Sequence, residues 1–270
     1  MQRPAVLVIA ATDSSGGAGL TRDVRVLTDF AVDALCVVTA VTAQSDKEVS
    51  AVHHVPPEII RAQVAAAFAT RQIAAIKIGM LGTQATVEAV VAALSAAAGI
   101  PIVVDPVLVS TSGGVLLDAG GRAALTGSLF PLAALVTPNV PEAAALLGEP
   151  VAGDEVGLIQ QGEKLLGFGS QAILLKGGHP YASGRYSGRN EGEDAVDLLI
   201  SGDGADSLPT RGRRASELSI ERIHSKRIVG SSRGTGCALA SGIAAGLATG
   251  KSLGEACRAA KRYVLGMLAL

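Results

Sequence analysis

Short, almost unbroken apolar runs alternate with longer alanine-rich stretches, and this rhythm constrains the fold more than any other feature of the chain. Residues 6–10, 35–41, 74–78, 102–105, 135–137 and 172–176 read as strands. Their lack of polar alternation predicts parallel strands covered on both faces. Helices are predicted between and after them, over about residues 18–31, 56–70, 83–98, 139–148, 154–168, 235–249 and 252–268. The outcome expected is one α/β domain spanning residues 1–270, with a central, mainly parallel sheet flanked by helices on both faces. One stretch departs from the rhythm. Residues 181–233 are rich in Gly, Ser and Glu and carry Arg211, Arg213, Arg214, Arg222, Lys226, Arg227 and Arg233. They read as a long polar hairpin or loop, with strands expected at 194–200 and 222–229. Exposed charge runs usually face solvent, although a flap bringing cations to a phosphate-bearing ligand also fits.

Composition narrows the function classes. With 49% hydrophobic residues the chain is no disordered segment. Twenty-three basic against 24 acidic residues leave a net charge of −1 and no electrostatic footprint for nucleic acid. Aromatics make up 3% and Trp is absent, which argues against base-stacking surfaces and membrane belts. The uncharged stretches 234–250 and 89–104 are too short, or too broken at Gly99-Ile100-Pro101, to cross a bilayer. Cys36, Cys237 and Cys257 form no CxxC pair, which excludes a disulfide framework and suits a reducing cytosol. The short apolar run at the start soon meets Asp13 and does not read as a signal peptide. A cytoplasmic protein acting on a small molecule is the expectation.

Nearly every polar cluster falls at the carboxyl end of a predicted strand, where parallel α/β sheets bind ligands. Thr12-Asp13-Ser14-Ser15-Gly16-Gly17-Ala18-Gly19 follows the first strand, and Thr42-Ala43-Gln44 the second. Gly79-Met80-Leu81-Gly82, Asp105-Pro106-Val107, Thr137-Pro138-Asn139 with Glu142, and Lys176-Gly177-Gly178-His179 close the others. The first glycine-rich turn matches neither G-x-G-x-x-G nor a Walker A loop. A tight turn and a close backbone approach to a ligand both explain it. Arg233-Gly234-Thr235-Gly236-Cys237 opens a small-residue helix, whose unpaired amides and dipole make an anion site. The same dipole is expected to lower the pKa of Cys237, although an inert buried thiol is the commoner fate of cysteine. Asn139 and Glu142, three apart, suit either hard-oxygen contacts to Mg²⁺ or a helix cap. Lys176 is placed as a point charge for phosphate. The adjacent His53 and His54 read as surface residues.

Taken in order, Ala-Ala-Thr-Asp-Ser-Ser-Gly-Gly-Ala-Gly (10–19), Thr-Ala-Gln (42–44), Lys-Ile-Gly-Met-Leu-Gly (77–82), Val-Asp-Pro-Val (104–107), Thr-Pro-Asn-Val-Pro-Glu (137–142), Leu-Lys-Gly-Gly-His (175–179) and Gly-Thr-Gly-Cys (234–237) form a specific set. The chain resembles the hydroxymethylpyrimidine/phosphomethylpyrimidine kinases of thiamine biosynthesis, in the ribokinase-like superfamily. That resemblance implies two successive phosphorylations, with ATP and Mg²⁺ as cofactors, in a homodimer. It also implies that Gln44 and Asp23 meet the aminopyrimidine, that Met80 and Val107 wall its pocket, and that Gly17 lies beside it. Gly234, Gly236 and Cys237 become the anion hole, with Cys237 acting as base or polarising the hydroxyl. Lys176, Asn139 and Thr235 are implied in nucleotide binding, and Asp105, Asn139 and Glu142 around the metal, in part through water.

Two departures stand out. The family usually carries Gly-Ser where this chain has Ala11-Thr12, and His where it has Arg233. An arginine there either binds the substrate's phosphate more strongly than histidine or marks the loss of a pocket contact. Competing readings are a pyridoxal or pyridoxine kinase, against which Gln44 argues, and a sugar kinase, against which Cys237 argues. A non-catalytic pyrimidine sensor is the reading from another class, and the full polar set argues against it.

Overall fold

A computed structural model describes residues 2–110, 113–177, 194–202, 218–226 and 233–269. The chain runs β1 (Ala5–Asp13), α1 (Gly19–Asp29), β2 (Asp33–Gln44), β3 (Val49–His54), α2 (Pro57–Thr70), β4 (Ala75–Ile78), α3 (Gln84–Ala93) and β5 (Ile102–Val104). It continues through α4 (Ala119–Ala124), β6 (Leu135–Val136), α5 (Val140–Leu147), α6 (Glu155–Leu166), β7 (Ala172–Leu175), β8 (Asp194–Gly202), β9 (Leu218–Lys226), α7 (Thr235–Ala248) and α8 (Leu253–Leu268). Among the described residues the strands form one sheet in the order β3-β2-β1-β4-β5-β6-β7-β8-β9. Its six central strands, β2-β1-β4-β5-β6-β7, pair in parallel. β3, β8 and β9 are antiparallel additions at the two edges.

The uninterrupted apolar character of the inner strands has the expected consequence. Along β1, Leu7 and Ile9 point into one buried cluster with Ile60 and Val64 of α2, Val87 of α3 and Leu158 of α6. Val6, Val8 and Ala10 point into another with Leu20 and Leu27 of α1, Ile243 of α7 and Cys257 of α8. Period-two alternation thus feeds two cores, and both faces are dry. Several helix starts are fixed by side chains. Thr83 accepts from the Thr86 amide, Asp154 from that of Gly157, and Ser252 exchanges a reciprocal pair with Glu255.

The differences from the sequence reading have physical causes. β3 is exposed along almost its whole length, so it carries no apolar run to betray it. His53 and His54 lie on it, at the surface as expected. The helix predicted over 83–98 ends at Ala93 and tightens into one turn at Leu94–Ala96. α4, with Gly120 and Gly121 in it, has no helical signature and is started by Asp118 capping the Gly121 amide. β9 begins four residues before the strand expected at 222–229 and pairs with β8 along its full length. Arg211, Arg213, Arg214, Arg227 and His179 lie outside the described residues. Arg222 is spent on Glu155 of α6, at 2.7 Å.

The most deeply buried cation among the described residues sits inside the sheet. Lys77 of β4 is fully buried, and its Nζ donates to Asp23 of α1 at 2.8 Å. The other Asp23 oxygen accepts from Ser241 of α7 at 2.7 Å. A buried ion pair contributes little against an apolar pair, but breaking it strands a charge. Lys77→Met is therefore expected to cost about 3–5 kcal/mol in urea unfolding, with Lys77→Met/Asp23→Leu recovering most of that loss. A single variant as stable as the parent would show that the pair does not bear on folding.

Candidate active site

The site is assembled at the carboxyl ends of the central strands, around the point where the chain leaves β1 toward β2 and returns to β4 on its other side. β5 delivers Asp105, β6 leads to Thr137 and Asn139, and β7 ends at Lys176. The Lys176 amide donates to the Pro138 carbonyl at 2.9 Å, which fixes the lysine beside the start of α5. Its Nζ then lies between two carboxylates, 2.8 Å from Asp105 Oδ1 and 3.8 Å from Glu142 Oε2. Thr137 Oγ1 also donates to Asp105 Oδ1, at 3.1 Å. Burial alone would depress the lysine, but Asp105 and Glu142 outweigh it and hold its pKa above the ordinary value. Burial likewise works against the Asp105 carboxylate, and Lys176 with Lys77 reverses the sign, leaving it below the usual range. Glu142 goes the other way, pushed up by burial.

Asn139 and Glu142 close a reciprocal cap on α5. Asn139 Oδ1 accepts from the Glu142 amide and Glu142 Oε2 from the Asn139 amide, both at 2.8 Å. The capping reading of this pair is the one realised, and it takes the Asn139 oxygen away from direct metal ligation. Among the described residues no three His, Cys, Asp or Glu side chains converge as a metal cage. Asp105 and Glu142 each retain one oxygen with no hydrogen bond to a described residue. Those two hard oxygens fit a hydrated divalent cation held through water.

Opposite them stands the start of α7. Gly234 adopts a left-handed φ of +75°, and no side chain caps the helix, so its first amides stay available. A side chain at Gly234 would run into the Gly17 carbonyl, and one at Gly19 (φ +57°) into that of Ala11. The two glycine-rich segments thus meet backbone to backbone, which explains the glycines as close approach. A β-carbon on Gly236 would sit 3.1 Å from Lys176 Nζ and 3.5 Å from Asp105 Oδ2, so the helix start and the ion-pair cluster form one site. Cys237 does not behave as its position predicts. Burial pushes its thiol up to about 11, overriding the pull of Lys77 and the Gly19 amide.

Met80 is buried with Ala11, Ala40 and Leu116, and Val107 packs against them in a small apolar cluster. The bulk added by Ala11 is therefore taken up in this cluster. Gln44 is pinned by Ser14, whose hydroxyl donates to its carbonyl (2.8 Å) and accepts from its amide (2.9 Å). Its Oε1 accepts from Thr42 at 3.2 Å, and its Nε2 has no partner among the described residues. Asp23, expected at the substrate, is instead sealed in the interior by Lys77 and Ser241. Each of its oxygens accepts a hydrogen bond from the protein in this arrangement. Sequence reasoning places Thr137 in a strand-end cluster and Lys77 in a motif, but gives neither a role and misses Ser241. For Lys77 the signal was there, a single charge inside an otherwise apolar strand.

The chain matches the phosphomethylpyrimidine kinase family model over residues 13–269. It is 40% identical over 258 residues to a hydroxymethylpyrimidine/phosphomethylpyrimidine kinase of Rhizobium meliloti, covering 96% of this chain and 88% of that one. Among solved structures, phosphomethylpyrimidine kinase from Clostridium difficile superposes with a TM-score of 0.77 at 30% identity, over 98% and 100% of the two chains. Pyridoxal kinase from Staphylococcus aureus in complex with pyridoxal gives 0.81 at 25% identity, over 100% and 89%.

A thiol whose pKa is raised by the fold gains thiolate only as pH climbs toward the raised value. Alkylation of Cys237 by iodoacetamide, followed by peptide mass spectrometry, is expected to stay slow near neutrality and still to be rising above about pH 9. A rate that levels off near neutral pH would mean a thiolate already formed in the site.

Proposed function

The chain belongs to the phosphomethylpyrimidine kinase family, and from that premise we propose that it phosphorylates 4-amino-5-hydroxymethyl-2-methylpyrimidine and then the resulting monophosphate, with ATP as donor. The diphosphate would serve thiamine biosynthesis. The observation that carries this reading is the uncapped start of α7 facing Lys176, with Asp105 and Glu142 on either side of the lysine. Free amides and a fixed cation around one point suit a transferring phosphoryl group, whose charge spreads over its outer oxygens.

Each chain residue then has a defined task. Amides of Thr235, Gly236 and Cys237 receive the transferred phosphoryl oxygens, and Lys176 neutralises the nucleotide's phosphate. The alcohol oxygen forms the new bond to phosphorus as the bond to ADP breaks, and the alcohol's proton passes to an oxygen of the transferred phosphoryl group and on to solvent. A loose transition state asks little of a base, so Cys237, holding its own proton, lines and orients the alcohol. Gln44 offers an amide to the aminopyrimidine edge, with its free Nε2 as donor. Asp105 and Glu142 would hold Mg²⁺ through water, and the ion would supply charge neutralisation of the phosphates. The reading extends to a cytosolic homodimer, for which light scattering on the purified protein is the check.

The direct test supplies ATP, Mg²⁺ and the pyrimidine alcohol, and follows mono- and diphosphate by mass, with pyridoxal in parallel. Both pyrimidine products are expected. Gln44→Met should raise the pyrimidine KM about tenfold or more, while Lys176→Met should lower kcat by about two to three orders of magnitude. Pyridoxal phosphate as the sole product would overturn the substrate assignment and leave the phosphoryl site standing.

A further inference from the structure

Arg233 stands immediately before the anion-binding turn, and both terminal nitrogens of its guanidinium are bonded to protein, while Nε has no partner among the described residues. Nη1 donates to Ser15 Oγ at 3.1 Å, to the Ser45 carbonyl at 2.7 Å and to Asp46 Oδ1 at 2.9 Å. Nη2 donates to Asp13 Oδ2 at 3.1 Å. The side chain is only 13% exposed and lies over Gly17, where an added β-carbon would sit 3.7 Å from both its Cβ and its Nη1.

These acceptors belong to two separate loops. Asp13, at the end of β1, organises the first glycine-rich turn. Its carboxylate accepts from the amide and hydroxyl of Ser15 and from the Ala18 amide, at 2.8–2.9 Å. Ser45 and Asp46 lie in the β2–β3 turn, and Ser45 directly follows Gln44. One planar fork therefore reaches both loops from the residue covalently joined to Gly234. Two carboxylates, Asp13 and Asp46, share its charge.

We propose that Arg233 is a positioning residue, a strap that sets the spacing between Gln44 and the anion-binding start of α7 without contacting the substrate's phosphate. The roles of those two ends rest on the kinase reading given above. The strap itself rests on the hydrogen bonds. Only a guanidinium offers several donors in a fixed plane, so lysine keeps the charge and loses the strap. A misplacement of about 1 Å between recognition and reacting groups can cost about a hundredfold in rate.

The test compares Arg233→Ala, Arg233→Lys and Asp46→Asn with the parent by steady-state kinetics and by amide hydrogen exchange without nucleotide. Asp46 is largely exposed, so its variant folds even should the arginine variants not. For a strap, both arginine variants raise KM for the alcohol and for the monophosphate by a similar factor, about tenfold, and speed exchange across 13–18 and 44–48. Asp46→Asn shifts both readouts in the same direction by less. A rise confined to the monophosphate KM, reversed in Arg233→Lys, would make Arg233 a phosphate ligand and overturn the proposal. Unchanged exchange in Arg233→Ala would overturn it as well. Should the parent turn over neither pyrimidine, the kinase reading fails, and the exchange measurement still decides the strap.

Discussion

The ammonium of Lys77, sealed inside the sheet, imposes an obligation that three separate elements meet together. A buried charge without a partner is among the most costly features a fold can carry. Here the partner comes from α1, the support for that partner from α7, and the charge itself from β4. Burial would drive the proton off the lysine, yet Asp23 outweighs it and the ammonium persists above its ordinary pKa. Even the turn above is shaped by it, since a side chain at Gly79 would come within 2.8 Å of Lys77 Nζ. The ion pair thus lies beneath the functional rim as a foundation, and Lys77 lends positive potential to both Asp105 and Cys237.

Above that foundation the rim separates its tasks by chemistry. Charged groups converge from β5, β7 and α5, where Lys176 is held by two carboxylates. Apolar groups gather beyond β1 and β4, where Met80 and Ala11 are buried together with Ala40 and Leu116. The start of α7 lies between the two halves and touches both, through Gly236 beside Lys176 and through Gly234 against Gly17.

Much of this was legible in the chain. The unbroken apolar runs announce buried parallel strands, and the recurrence of Gly, Asp, Asn and Lys at their carboxyl ends marks the rim. What could not be read follows from partners distant in sequence. Asp23 resembles any exposed acid on an amphipathic helix until Lys77, 54 positions on, is seen to face it. Cys237 sits at a helix start that should acidify it, and the degree of burial that reverses the sign is a property of packing. β3 escapes notice because an exposed edge strand needs no apolar pattern. Arg233 sits in a basic segment that reads as solvated, and nothing local shows its guanidinium turned back onto Asp13.

The face that α7 turns to α8 has a mechanical consequence. Gly242 lies against Ala260, and Gly246 against Ala256, so closely that a β-carbon at either glycine would collide. Such a smooth contact brings the two helix axes near each other but supplies few interlocking knobs to resist sliding along the axis. Lengthwise registration falls instead to pins: Ser241 bonded to Asp23, and Gly234 butted against the Gly17 backbone. The helix that opens at Gly234 is thus located like a dowel in a bore, stopped at one end and keyed midway.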